Sequence, residues 1–322
     1  MNYYSESSIY DETLSSYAYR MAENAVNKRL VWRLWNAFEK MGACDPDFSR
    51  KGALAQLLIK EQMINEQILD HRFLIRGALV IPRYARRAYC IHCMNEDIAN
   101  HSFPAWRRTW CLILRPFCDI HSELLLDAPS RYANALDMSG RVYMWHYQCS
   151  AYLRRGVSLS EKILSIKERA WVENSLRAQR YSRALYHKRL WIMVFVAILC
   201  CRKALLGQYC DRLDGGHFRL INLHGPIIAV ALETAINSSS LARARALYYC
   251  GLIFGLYKVE HPDDAIFYAF PADPKTIGKV LAREQPHLAR AIIECRSVQP
   301  VQQRAVFDEF LSGLKMYTKF IS

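Results

Sequence analysis

Nowhere in its 322 residues does the chain hold an apolar run long enough to cross a bilayer. The strongest run, Leu190–Cys201, has 12 residues between Lys188-Arg189 and Arg202-Lys203. A membrane-spanning helix takes about 20, so this segment reads as a buried core helix and no membrane is expected as a partner. The opening residues Met1–Ser16 lack the basic stretch followed by an apolar stretch that marks a secretory signal, and a cytoplasmic protein is expected. The cytosol keeps thiols reduced, so the 11 cysteines do not read as a disulfide framework. Paired cysteines in that setting point to metal. The chain also lacks a P-loop, an HExxH pair and a nucleophile elbow. No repeat of fixed period and no low-complexity tract is present.

What remains is a globular composition, 52% hydrophobic and 23% charged, in a chain long enough for two domains with separate cores. The formal net charge is +13, which favours a polyanionic partner and says nothing of fold. The excess is concentrated. Residues 151–200 carry 10 basic and 3 acidic side chains, over half of the net charge in fifty residues. Within that block Arg177, Arg180, Arg183 and Lys188 recur at near-helical spacing. They form either a face that neutralises phosphates or a solvated helix face.

The densest chemistry lies in Tyr89–Leu126. Cys90-x-x-Cys93 and Cys118-x-x-His121 are two knuckles with 24 residues between Cys93 and Cys118. Two ligands on each of two tight turns are what a closed tetrahedral structural zinc site requires; the alternative is a set of unligated buried thiols. Four protein ligands leave no open position for water, so catalysis is not expected there. Between the knuckles, Glu96 and Asp97 read either as partners of Arg107 or Arg108, or as exposed loop charges. Trp106 and Trp110 lie four apart and on a helix would share a face over the metal site, packing rather than stacking on bases. Arg107 and Arg108 are candidates for phosphate contact or for ion pairing.

The rest of the chain reads as helical. Asp11 to about Phe38 has one apolar face, with Asp11 as N-cap and Lys28-Arg29 as a candidate break. Asp45-Pro46-Asp47 marks a turn. Two short helices joined near Gln62–Asn65 have the layout of a helix-turn-helix, or of a plain helical hairpin, with His71, Arg72 and Arg76 as its polar readers. Residues 82–87 read as a basic connector. Further on, Ser158 or Ser160 starts a helix reaching Tyr186 or Cys201, and Asp214-Gly215-Gly216 and Gly225-Pro226 make turns. Ile227–Ile236 and Leu241–Leu256 read as core helices. Asp273-Pro274 starts another, Pro286 and Pro300 punctuate the last ones, and Val301–Phe320 is amphipathic. The expected fold is mainly α. Residues 1–150 form a helical, helix-turn-helix-like domain with a zinc-ribbon-like knuckle pair, and residues 151–322 an all-helical domain.

Two stretches together resemble the TniQ family of transposition target-selection proteins. Glu12, Thr13, Leu14, Ser16, Arg20 and Ala22 match the family's opening block. Cys90, Cys93, Glu96, Asp97, Trp106, Arg107, Arg108, Trp110, Cys118, His121 and Leu124 match its Cys/His block, in order and spacing across about the first 125 residues. The resemblance implies an adaptor rather than a transposase. Such a protein links a DNA site, or a CRISPR RNA-guided effector complex to which relatives bind as a head-to-tail dimer, to a AAA+ ATPase of the TniB/TnsC kind. A homodimer is therefore expected here. The alternative is a TnsD-like protein that reads an attachment site directly. The chain departs from the pattern in places. Ser122 stands where glycine is usual, and no second CxxC pair follows, with Cys149 and Cys200-Cys201 lacking knuckle partners. The last two hundred residues match no motif and are shorter than the DNA-reading half of the TnsD type, which favours the adaptor.

Overall fold

The computed structural model describes residues 9–24, 28–39, 45–75, 79–149, 166–184, 189–201, 205, 227–257, 273–296 and 304–318. The described chain is mainly helical and divides into two compact units, Met1–Arg154 and Arg155–Ser322. No described helix is long and apolar enough to cross a membrane.

The first unit begins with α1 (Leu14–Asn24) and α2 (Lys28–Glu39). Asp11 does not cap α1 as expected. It takes a left-handed φ of 57° and turns its carboxylate to Arg108 and the Thr109 amide. Thr13 serves instead, its Oγ1 accepting from the Ser16 amide at 3.4 Å. Of the apolar face read from the spacing, Leu14, Tyr17, Ala18, Met21 and Ala25, the first four are buried against α3 (Ala53–Lys60) and the segment after it, and Ala25 lies outside the described residues. That segment is α4 (Glu66–Ile68) running into one π-helical turn, Leu69–Phe73. Asn65 caps it, its side chain accepting from the Ile68 amide at 2.7 Å. The turn between the two helices contains no glycine, and Gln62 supplies the left-handed residue at φ 57°.

The expected turn at Asp45–Asp47 is present, and the basic connector, residues 82–87, turns two of its arginines inward. Arg83 and Arg86 are buried on Asp47, which is itself fully enclosed. Asp47 Oδ2 accepts from Arg83 at 2.9 Å and from Arg86, and Oδ1 accepts from the Ser15 amide at 2.6 Å. Burial alone would raise this carboxyl. The two guanidiniums and Ser15 outweigh it and hold Asp47 below the usual carboxylate range. After this node come β1 (Ala88–Tyr89), α5 (Ile91–His101), β2 (Leu126–Asp127) and α6 (Met138–Gln148). The strands pair antiparallel, Ala88 opposite Asp127 and Tyr89 opposite Leu126.

In the second unit α7 (Ile166–Ala184) and α8 (Arg189–Cys200) precede α9 (Ile227–Ile236) and α10 (Ser240–Ile253). Helix α8 is the apolar run, with Leu190, Trp191 and Val194–Leu199 buried, as its lack of polar side chains requires. Ser239 caps α10, whose buried residues include Arg243 and Arg245, charges that its reading as a plain core helix did not anticipate. Asp273 and Pro274 open α11 (Pro274–Glu284) as N-cap and N1, the Asp273 carboxylate accepting from the Thr276 amide at 2.8 Å. The chain continues through α12 (Pro286–Arg296) and α13 (Arg304–Thr318). Helices α11 and α13 cross at two glycines. A Cβ on Gly278 would lie 2.3 Å from the Phe310 carbonyl oxygen, and one on Gly313 2.1 Å from that of Lys275. Ser158, Ser160, Asp214–Gly216, Gly225-Pro226 and Pro300, expected as caps and turns, lie outside the described residues, as does Arg76.

Candidate metal centre

The two knuckles meet. Cys90, Cys93, Cys118 and His121 present ligand atoms that all lie within 4.8 Å of one another, and this group could hold a metal ion. His121 Nδ1 stands 3.5 Å from Cys90 Sγ, 3.3 Å from Cys93 Sγ and 3.6 Å from Cys118 Sγ, and the Cys93 and Cys118 sulfurs are 3.5 Å apart.

Each knuckle is built by a different local device. Strand β1 delivers Cys90 to the N-cap position of α5 in extended backbone, and the first helical turn returns Cys93 to the same side. Thiolates at a helix N-terminus face the positive end of its dipole. The second knuckle is a loop pinched at its base by the Phe117–Leu124 bridge, with the Cys118 amide donating to the Glu123 carbonyl at 2.8 Å. The His121 amide donates to Cys118 Sγ at 3.4 Å, and Ser122 then takes a φ of 55° to reverse the chain. That left-handed residue is where the resemblance expects glycine, and the backbone supplies the reason. The β1–β2 pairing joins the strand entering the first knuckle to the segment leaving the second.

The donor set fits a cation better than it fits three thiols. Hydrogen bonding with Cys118 pushes the Cys90 thiol up to about 11 and the Cys93 thiol higher still, while Cys118 is driven down as the acceptor of both. A divalent ion held by this group would favour ionisation of all three thiols. Burial pulls His121 down, but hydrogen bonds with Cys118 and Glu96 more than offset it. His121 Nε2 lies 3.0 Å from Glu96 Oε1, so the carboxylate can accept a hydrogen bond from Nε2–H and leave the unprotonated Nδ1 as the ligand.

The residues between the knuckles turn inward. Arg107 is 4% exposed and donates to Asp97 at 2.5 Å and to the Tyr10 carbonyl at 2.8 Å. Asp97 accepts from the Ala105 amide at 2.9 Å on its other oxygen, and burial raises its carboxyl despite Arg107 beside it. Arg108 donates to Asp11 at 3.0 Å. Ion pairing is thus where both guanidiniums go, and Arg107 is too enclosed to meet a phosphate. Trp106 and Trp110 are buried edge to face with centroids 5.5 Å apart, but they sit on a loop and a 3-10 turn, not on an α-helix. They pack in one core with Tyr89, Cys90, Cys93 and Cys118.

The opening block comes to the same place, a relationship the sequence did not announce. Glu12 forms a backbone bridge with Arg107, the Thr13 amide donates to the Trp106 carbonyl at 2.8 Å, and the Trp106 amide donates to Ser16 Oγ at 3.0 Å. Ser16 Oγ in turn reaches Glu12 at 3.2 Å, and Glu12 holds Arg20 at 3.0 Å. Only the count of acidic, hydroxyl and arginine side chains in the two blocks could have hinted at it.

The basic residues read from the block 151–200 belong to the second unit. Arg177, Arg180 and Arg183 are exposed on α7; Lys188 lies outside the described residues. Among the described residues Cys149, Cys200 and Cys201 belong to no such metal-ligating group. No family model, no curated protein and no solved structure matches the chain.

Proposed function

We propose that the chain is a non-catalytic transposition adaptor of the TniQ kind, with a structural zinc ion at Cys90, Cys93, Cys118 and His121. Three thiolates and one imidazole are soft to borderline donors, which suit zinc, and a closed set of four gives the ion a folding role rather than a reactive one. The knuckle pair then acts as a zinc-ribbon-like clamp. The observation that carries the reading is the joining of the two blocks that bear the resemblance. Glu12, Thr13, Ser16 and Arg20 on one side and Asp97, Trp106, Arg107 and Arg108 on the other form one hydrogen-bonded unit beside the ligands. The two blocks, some ninety positions apart in sequence, carry the resemblance together and hold one another in space. On this reading the first unit presents its helices, as a dimer, to a DNA-targeting complex and to a AAA+ ATPase of the TniB/TnsC kind, in the cytoplasm.

A second reading has its own observation. The α3–α4 pair has the layout of a helix-turn-helix and exposes Asn65, Gln67, His71 and Arg72, side chains able to read base edges. Against it, Glu66 and Asp70 lie on the same segment, where they would repel phosphates; Arg50 pairs with both. One titration separates the readings. The purified protein is tested with the ATPase, a guide-RNA effector complex, a candidate attachment site and random duplex. Tight binding to the ATPase and the effector beside weak, salt-labile duplex binding is expected. A specificity ratio above roughly 10³ for the attachment site would favour the direct reader. Binding to neither protein partner, or nuclease or ATPase activity in the chain alone, would overturn the adaptor.

A further inference from the structure

We infer that the exposed face of α7 is a sequence-independent docking site for duplex DNA, made by Arg177, Arg180 and Arg183. The inference stands on this helix alone and not on the adaptor reading. Between residues 172 and 184 the exposed positions are Glu173, Arg177, Arg180, Arg183 and Ala184. Ser175, Ala178, Gln179 and Ser182 are buried on the other side, so packing fixes which way the arginines point. Arg177 and Arg180 make no ion pair with a carboxylate among the described residues, although Glu173 lies one turn before Arg177. An unneutralised guanidinium is the group that phosphate recognition uses, because its fork donates to two oxygens at once.

Geometry separates DNA from an acidic protein as the occupant. Successive arginines step along the axis by about 4.5 Å and spread over about 120° of the helix circumference. A duplex carries one charge per ~1.7 Å of axis, dense enough for each guanidinium to meet its own phosphate. A protein partner would need apolar anchors at the centre of the contact. None of the five exposed positions is a large apolar residue, and Leu176 and Tyr181 are half-buried. The helix belongs to the stretch of the chain richest in positive charge, which would steer a polyanion to it.

The test uses the full chain and a labelled 30-base-pair duplex of random sequence, titrated at several salt concentrations. Phosphate contacts at Arg177 and Arg180 contribute about 1.8 to the slope of log affinity against log salt, and one at Arg183 up to about 0.9 more. Arg177→Gln/Arg180→Gln/Arg183→Gln should make the slope shallower by about 1.8 to 2.7, and Arg177→Gln or Arg180→Gln alone by about 0.9. Lys275→Gln/Lys279→Gln/Arg283→Gln on α11 removes the same charge and should leave the slope within one unit of wild type. Matched far-ultraviolet spectra and melting points establish that both variants fold, and the single variants serve if the triple does not. Equal losses from the α7 and α11 variants would overturn the inference, since net charge alone would then explain binding. So would an unchanged slope in the α7 variant, or a preference for single-stranded DNA, RNA or a polyglutamate peptide over duplex. The ATPase and effector titration is read separately, so either result can fail without the other.

Discussion

The amide of Thr13 donates to the carbonyl of Trp106 at 2.8 Å, across 93 positions of sequence. The start of α1 is thereby tied to the loop between the two knuckles, and Glu12 and Arg107 form the adjoining bridge. Arg107→Ala should therefore act as a core mutation. It leaves Asp97 buried without its cation, a loss of about 3–5 kcal/mol. Chemical denaturation of the full chain measures it. A change under about 0.5 kcal/mol, usual for a surface position, would mean that Arg107 is a surface charge after all.

A second buried node should respond to acid. Asp47 is held below its usual range in the folded protein, so its contribution is present above its unfolded value near 3.8 and is lost as pH falls through the folded value. Asp47→Asn should lose about 3–5 kcal/mol at neutral pH, since Arg83 and Arg86 stay buried. It should also flatten the fall of stability below about pH 4. Denaturation midpoints from pH 7 to pH 2 for both proteins test the two statements together.

Metal and fold should fail together in the first unit. Cys90→Ser or His121→Ala should release the ion and melt the unit, because the ligands lie together only in the folded chain. Glu96→Gln keeps all four ligands but weakens the hold on the His121 Nε2 proton, and should lower metal affinity about 10- to 100-fold. Competition with a chromogenic chelator reads that ratio. Equal affinity in Glu96→Gln and wild type would remove the carboxylate from the account.

The α11–α13 crossing makes a packing prediction. Gly278→Ala or Gly313→Ala sets a methyl against backbone rather than against a movable side-chain end. Each should cost about 1–3 kcal/mol of stability in the second unit. Gly140→Ala, with nothing within 4 Å of the added carbon, is the control and should be near neutral.

What the sequence disclosed follows the range of the interaction. The ligand pairs, the Asp273-Pro274 start and the Leu190–Cys201 helix rest on spacing or composition within a dozen residues. The errors sit where a partner is remote. Asp11 reads as a helix cap until Arg108 and Thr109 take its carboxylate, and residues 82–87 read only as a basic connector until Asp47 is seen to accept both arginines. A buried arginine and a solvated one are identical in sequence. The two glycines at the α11–α13 crossing could not be told from flexible ones for the same reason. The candidate metal ligands were all legible, but the Glu12–Ser16–Trp106–Arg107 network, whose Trp106 packs in their core, was not.

The most direct test of the metal centre as the keystone of the first unit is elemental analysis of the purified chain, with X-ray absorption at the zinc edge. The account predicts one zinc per chain, with three sulfurs at about 2.3 Å and one nitrogen at about 2.0 Å. Less than half an equivalent of zinc in folded protein, or an absorption spectrum without a sulfur shell, would contradict it.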